Sequence, residues 1–212
     1  MKHYHPKQND AGKKVELKQP SQSSSLTTWN EVSKISTVVP TGSLPPTIAG
    51  VAVAAWPDAP TCAAKWEKQV ESALFDEPPF KVSTGKNPAS GVVVIEADGR
   101  VWVVSPSNRF GGYTHTFPKG TIYPGDHITL RANAVKEAHE ESGLQVELIG
   151  FLVDSERSTT TTRYYLARRV GGSPADMGWE SQAVNLVPLN HLAQFASHPI
   201  DAGIVQASRN RS

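Results

Sequence analysis

The sequence predicts an α/β fold with a small N-terminal extension. Three observations carry that expectation: two β-favouring runs divided by Asp98 and Gly99, a helical segment that combines small residues with clustered acids, and a second pair of β-favouring runs directly after it.

Residues 1–45 are polar and punctuated, with the run QPSQSSS and then Pro40 and Pro45, and such composition buries too little apolar surface to offset chain entropy. They are expected to form a flexible leader. Residues 46–87 are expected to form a small strand-plus-helix element, because Ile48 to Trp56 reads as a buried strand and Ala63, Trp66, Val70 and Leu74 follow helical spacing between Cys62 and Leu74. A linker containing Pro78, Pro79, Gly85 and Pro88 leads into the main domain, residues 88–212.

In that domain, strands are expected near 91–97 and 100–105, joined at Asp98-Gly99 by a hairpin turn that needs positive φ. Gly111-Gly112 and an irregular loop from Pro118 to Gly125 precede a helix from Ile128 to Ser142, which Gly143 stops by accepting the left-handed cap conformation. Strands resume near 145–154 and 161–170, where Thr159 to Tyr165 favours β structure. A Gly- and Pro-containing loop, Gly171 to Gly178, precedes a last strand near Ala183 to Val187 and one or two short helices from Leu189.

At 212 residues the chain suits one ordinary domain with an extension, and its 38% hydrophobic content is that of a soluble globular protein. A net charge of +1 provides no general field for gripping an anionic membrane or a long nucleic acid. Cys62 is the sole cysteine, which excludes an internal disulfide and a cysteine zinc cluster and suits the cytoplasm. The apolar run at Ile48 to Trp56 is too short to cross a bilayer. No phosphate-binding loop of the Gly-Lys-Ser/Thr kind follows Gly111-Gly112, no G-x-S-x-G nucleophile elbow occurs, and His115, His127 and His139 lack zinc spacing.

Chemistry concentrates on the helix. Glu137 precedes Glu140 and Glu141 by three and four residues, so the three carboxylates share one side, while Leu130, Ala134 and Ala138 form a separate apolar stripe with small residues suited to close approach to a sheet. Like charges at these spacings are individually unfavourable by ~0.2–0.5 kcal/mol, which a bound cation relieves. Carboxylate oxygens are hard ligands that suit magnesium, with manganese as a second choice. A solvated acidic face without any ligand is the alternative reading of these residues.

The surrounding residues resolve that choice. Gly120, Asp126 and the run Lys136, Glu137, Ala138, His139, Glu140, Glu141, Ser142, Gly143, Leu144 resemble the Nudix box, whose pattern is G, five residues, E, seven residues, R-E-U-x-E-E-x-G-U, with U bulky and aliphatic. Here Asp126 replaces Glu, Lys136 replaces Arg, Ala138 replaces the larger aliphatic residue, and the gap between Asp126 and Lys136 is two residues longer. The preceding Phe117-Pro118-Lys119-Gly120 is also similar to the family.

The resemblance implies a Nudix-type α/β/α sandwich around a mixed sheet, with the box helix on one side and the C-terminal helices on the other. It implies metal binding by Glu137, Glu140 and Glu141 with the backbone at Gly120, and a catalytic carboxylate in the loop before the last strand, where Glu180 stands. Asp126 and Lys136 are expected to support that site as a brace, lysine keeping the charge of arginine without its fork; Asp126 has a second reading as a helix-start acid. Lys119, Arg157 and Arg163 are candidates for substrate phosphates.

The implied activity is magnesium-dependent pyrophosphohydrolysis of a nucleoside diphosphate linked to another moiety, such as ADP-ribose or a nucleotide sugar. Dinucleoside polyphosphates, diphosphoinositols and RNA 5′ ends are alternative substrates, and a non-catalytic nucleotide sensor is the alternative of another class. The resemblance also raises a homodimer as a candidate state, for which the segment around Trp56 and Trp66 is a candidate surface.

Overall fold

A computed structural model describes residues 2–211; residue 1 of the expected leader and residue 212 of the expected main domain lie outside the described residues. In chain order the strands and helices are β1 (His3–Gln8), β2 (Lys14–Leu17), β3 (Ser36–Val38), β4 (Thr47–Ile48), β5 (Val51–Ala52), α1 (Ala63–Val70), β6 (Asn87–Val94) and β7 (Arg100–Pro106). They continue as β8 (Lys119–Thr121), α2 (Leu130–Ser142), β9 (Leu144–Glu156), β10 (Thr160–Gly172), β11 (Ser181–Pro188), α3 (Leu192–Phe195) and α4 (Ala202–Arg209). Among the described residues no helix is long and apolar enough to cross a membrane.

Two sheets form the centre. One has the order β8-β6-β10-β9 and is mixed, because β6 and β10 run parallel while β8 and β9 join them antiparallel. The other has the order β3-β11-β7 and is antiparallel. The expected hairpin at Asp98-Gly99 exists: Gly99 has φ +82° and its N–H donates to the Glu96 carbonyl. Its arms part after one bridge, Ile95 with Val101, since β6 pairs with β10 and β8 whereas β7 pairs with β11.

Successive residues of one strand serve opposite layers, as the twofold alternation of a strand requires. Val92, Val94, Tyr165 and Ala167 pack with Ala132, Ala134, Val135 and Ala138 of α2. Val93 and Tyr164 instead pack with Leu192, Ile204 and Val205 from α3 and α4. A mixed sheet between helices on both faces is the expected α/β/α arrangement.

The helix α2 is defined at both ends. Thr129 Oγ1 accepts from the Ala132 N–H at 3.2 Å, and Gly143, at φ +69°, donates its N–H to the His139 carbonyl at 2.7 Å. A Cβ on Gly143 would lie 2.2 Å from the Ser173 carbonyl oxygen, so the loop after β10 seats directly on this cap.

Residues before the main domain are structured, contrary to the flexible leader expected from composition. Its described part includes the β1–β2 hairpin and the edge strand β3, which pairs Val38 with Val184 and Ser36 with Leu186. Trp29 is 1% exposed, its ring lies 6.0 Å from that of Trp102, and Arg100 Nη1 donates to its carbonyl at 2.9 Å. A few well-placed residues and backbone pairing to β11 anchor a segment whose average composition is polar.

The expected strand from Ile48 to Trp56 is instead the tight β4–β5 hairpin, turned by Ala49 and Gly50 at φ +48° and +81°, the paired positive values of a primed turn. Helix α1 ends at Val70, which leaves Leu74 exposed. Trp56 meets His139 of α2 edge-on and Trp66 meets it tilted, with ring centroids 5.2 and 6.0 Å away, while Arg169 of β10 donates to the Ile48 and Ala52 carbonyls at 2.7 and 3.1 Å, so this element covers the outer side of α2 and also reaches the sheet. Glu67 also accepts from the N–H and hydroxyl of Thr129, at 2.6 and 2.9 Å, reinforcing the start of α2.

Candidate active site

On α2 the three glutamates meet different surroundings. Glu137 and Glu141 are buried, 7% and 8% exposed, while Glu140 remains open to solvent. The ammonium of Lys136 joins two of them, donating to Glu137 Oε1 at 3.0 Å and Glu140 Oε2 at 2.6 Å. Strand β8 brings Gly120 against the first: a Cβ there would fall 2.1 Å from the Glu137 carboxyl carbon. Only a residue without a side chain lets the strand approach so closely. Asn133, one turn earlier on α2, donates to the Gly120 carbonyl at 3.1 Å and to Ser90 Oγ at 3.0 Å, tying helix to sheet at this point.

The loop between β10 and β11 adds Glu180 to this face. The Gly178 N–H donates to the Glu140 carbonyl at 2.8 Å, docking the loop on the last turn of α2. Ser107, in the 3-10 segment after β7, donates its N–H to the Glu180 carbonyl at 2.7 Å and its hydroxyl to the Trp179 carbonyl at 2.8 Å.

These acids act on one another electrostatically. Burial pushes the Glu137 carboxyl up to about 7; the Lys136 charge opposes this, and Glu140 and Glu180 add to it. Burial pushes the Glu141 carboxyl up to about 8 against the charge and backbone of Lys119, with Glu137 and Glu180 raising it further. Glu180 is raised by the protein packed around it and then by Asp10 and Glu140. Glu180 thus repels both buried carboxylates although it comes from another part of the chain.

These residues fit a hard divalent cation. Glu137, Glu141 and Glu180 supply oxygen donors whose charged forms are disfavoured in the absence of a cation, and the Gly120 backbone approaches the Glu137 carboxyl closely. Among the described residues no three His, Cys, Asp or Glu side chains already converge as a ligand set. Lys136 supplies the positive charge between Glu137 and Glu140 in this arrangement.

Lys119 also reaches this region, its ammonium 5.4 Å from the Tyr113 ring centroid and its charge acting on Glu141 and Glu180. Three other expected site residues lie elsewhere. Asp126 forms no brace with Lys136: its Oδ2 accepts from the Tyr123 N–H at 2.6 Å and closes its own turn. It does not cap α2 either, because Thr129 takes that role.

Arg157, expected at substrate phosphates, is buried and donates to Tyr113 Oη, Tyr164 Oη and Asp201 Oδ1 at 2.5, 2.7 and 2.6 Å. Arg163 is likewise committed, with a two-pronged bond to Asp154 at 2.8 Å for each prong and further bonds to Glu77 and the Pro78 carbonyl at 3.0 and 2.9 Å. Both guanidinium groups are internal clamps, a use of the arginine fork that equals its suitability for phosphate. Sequence reading missed Asn133 and Ser107; the signal for Asn133 was a polar residue between alanines on the packed face of the helix, and no local signal marked Ser107.

A cleft of about 530 Å³ opens between α1 and the start of α2, bordered by Glu67, Glu77, Thr129, Arg131 and Tyr165. Glu67 and Glu77 are already satisfied by Thr129, Arg131, Arg163 and Tyr165.

The family description "NUDIX domain" matches residues 85–207. The chain is similar to a C. elegans Ap4A hydrolase structure at 18% identity and TM-score 0.46, covering 59% of this chain and 94% of that one. It is similar to an ADP-ribose pyrophosphatase from Streptococcus suis at 19% identity and TM-score 0.46, covering 59% and 92%. A structure of MutT, from work on Aliivibrio salmonicida and Vibrio cholerae, is similar at 16% identity and TM-score 0.48, covering 60% and 99%. Among curated proteins none matches. The matched span contains the helix α2, the Gly120 strand and the Glu180 loop, and the chain belongs to the NUDIX family of hydrolases acting on pyrophosphate bonds.

Proposed function

We propose that this protein is a magnesium-dependent pyrophosphohydrolase that cleaves a nucleoside diphosphate linked to another moiety, of the ADP-ribose or nucleotide-sugar type, with residues 88–212 as its catalytic domain. The observation that supports it is the close approach of the Gly120 strand to the buried Glu137 on the helix that also carries Glu140 and the buried Glu141.

In this reading Glu137, Glu140, Glu141 and the Gly120 carbonyl hold the metal, with manganese as a substitute. When bound, the ion supplies charge neutralisation at the phosphate oxygens and lowers the pKa of coordinated water. Glu180, which is not assigned to the metal, is the carboxylate left to take the proton of the attacking water. Lys119 positions a phosphate oxygen from β8. Lys136 retains Glu137 and Glu140 in place. The same reading places the protein in the cytoplasm, which accords with its single, exposed cysteine.

The test is a panel of ADP-ribose, nucleotide sugars, dinucleoside polyphosphates and triphosphorylated RNA with magnesium or manganese, products being identified. ADP-ribose or a nucleotide sugar should be split at its diphosphate, and Glu141→Gln should abolish this while leaving the thermal midpoint near wild type. Binding of ADP-ribose without turnover, or full activity in Glu141→Gln, refutes the reading; preference for a dinucleoside polyphosphate refutes the substrate assignment.

A further inference from the structure

The N-terminal hairpin β1–β2 lies far in sequence from the residues considered above, yet it grips the loop that carries Glu180. Lys7 Nζ donates to the Asp176 carbonyl, and Asp10 Oδ1 accepts from Trp179 Nε1 at 3.1 Å. The two contacts share a spacing: residues 7 and 10 of the hairpin meet residues 176 and 179 of the loop.

The hairpin is itself anchored independently of that loop. Asn108 Nδ2 donates to the Glu16 carbonyl at 2.8 Å, and the Lys18 N–H donates to Asn108 Oδ1 at 2.9 Å. Leu17 is buried at 8% exposure. Within the turn, Asn9 Oδ1 accepts from the Ala11 and Lys13 N–H groups at 3.2 and 2.8 Å, which fixes the backbone on both sides of Asp10.

Glu180 follows Trp179 directly and has no side-chain anchor of its own in the contacts above. Its position is set by the backbone bonds of Gly178 to α2, of Ser107 to Trp179 and Glu180, and by the hairpin on the remaining side. We propose that Asp10 is a positioning residue: through Trp179 it locks the loop so that the Glu180 carboxylate faces Glu137 and Glu141. This rests on the pyrophosphohydrolase reading for the role of Glu180. An indole held by a fixed acceptor restricts the residue next to it, and partners that orient reactive groups from outside the site commonly change activity by ~10–100-fold when removed.

Asp10 is exposed, so its substitution opens no cavity in the core. The experiment compares wild type, Asp10→Ala, Asp10→Asn, Trp179→Phe and the Asp10→Ala/Trp179→Phe pair. Amide hydrogen exchange over residues 173–182, without substrate, should quicken about tenfold in Asp10→Ala and in Trp179→Phe, the scale of a local opening set free by one hydrogen bond. With the substrate found in the panel above, kcat should fall about tenfold in Asp10→Ala with KM unchanged. Asp10→Asn should recover both values, because its amide oxygen still accepts from the indole, and the double variant should be no worse than either single one.

Unchanged exchange in Asp10→Ala overturns the proposal whether or not turnover is found. Faster exchange with unchanged kcat overturns it as well, as does an Asp10→Asn protein no better than Asp10→Ala. Lack of turnover by the wild type bears on the pyrophosphohydrolase reading alone, since exchange is measured separately.

Discussion

Replacing Glu137 with glutamine should stabilise the metal-free protein at alkaline pH. Burial raises the Glu137 carboxyl from 4.5 to about 7, so the folded protein keeps a proton that the unfolded chain gives up between these values. Stability from that retained proton is full below pH 4.5 and is lost as pH rises through 7. At ~1.4 kcal/mol for each pH unit, the buried charge costs about 3 kcal/mol at pH 8 and under about 1 kcal/mol at pH 5.

Glutamine keeps the shape and an oxygen that accepts from Lys136 without carrying the charge. Urea unfolding with a chelator at pH 5, 6.5 and 8 should therefore show an advantage for Glu137→Gln that grows to about 3 kcal/mol at the highest pH. Saturating magnesium should raise the wild-type midpoint and leave the variant nearly unchanged, because binding stabilises only the form that binds. A variant less stable than wild type at pH 8, or a difference that does not grow with pH, would show that Glu137 is not under electrostatic strain.

Gly120→Ala should lower stability by ~1–3 kcal/mol and reduce turnover strongly, because its methyl group would sit 2.1 Å from the Glu137 carboxyl carbon; thermal unfolding and kcat measure the two effects. Asp201→Ala leaves Arg157 buried without its carboxylate and should destabilise by ~3–5 kcal/mol in urea unfolding, a loss too large for a surface arginine that serves only substrate. Trp29→Ala should cost ~3–5 kcal/mol by the same assay, whereas a flexible leader would lose nothing.

The main domain was legible because its signals are local. Asp98-Gly99 demanded a turn, Gly143 a helix end, and Ala134 and Ala138 a close-packed face, and each of these depends on residues within a few positions. The acid spacing on α2 was equally plain. What escaped was non-local: β3 is a strand because β11 offers an edge, and β6 leaves β7 because β10 offers a parallel partner. The internal partners of Arg157 and Arg163 escaped for the same reason, since Asp201, Glu77 and Asp154 include residues distant in the chain, and an arginine fork is as well matched to them as to a phosphate. Asp126 was misassigned because a box pattern with a longer gap shifts that residue into a turn of its own.

The pairing of β3 with β11 joins chain positions separated by about 150 residues, so it carries a large loop-closure cost and belongs among the slow contacts of folding. A ribosome releases Val38 long before Val184, and until then the beginning of the chain has no edge to join. The β1–β2 hairpin shares that wait, because Asp176 and Trp179, which it grips, also emerge late. Both contacts therefore form only after β11 has emerged, and a nascent chain halted before β11 would expose both an unpaired strand and an unseated hairpin to proteases.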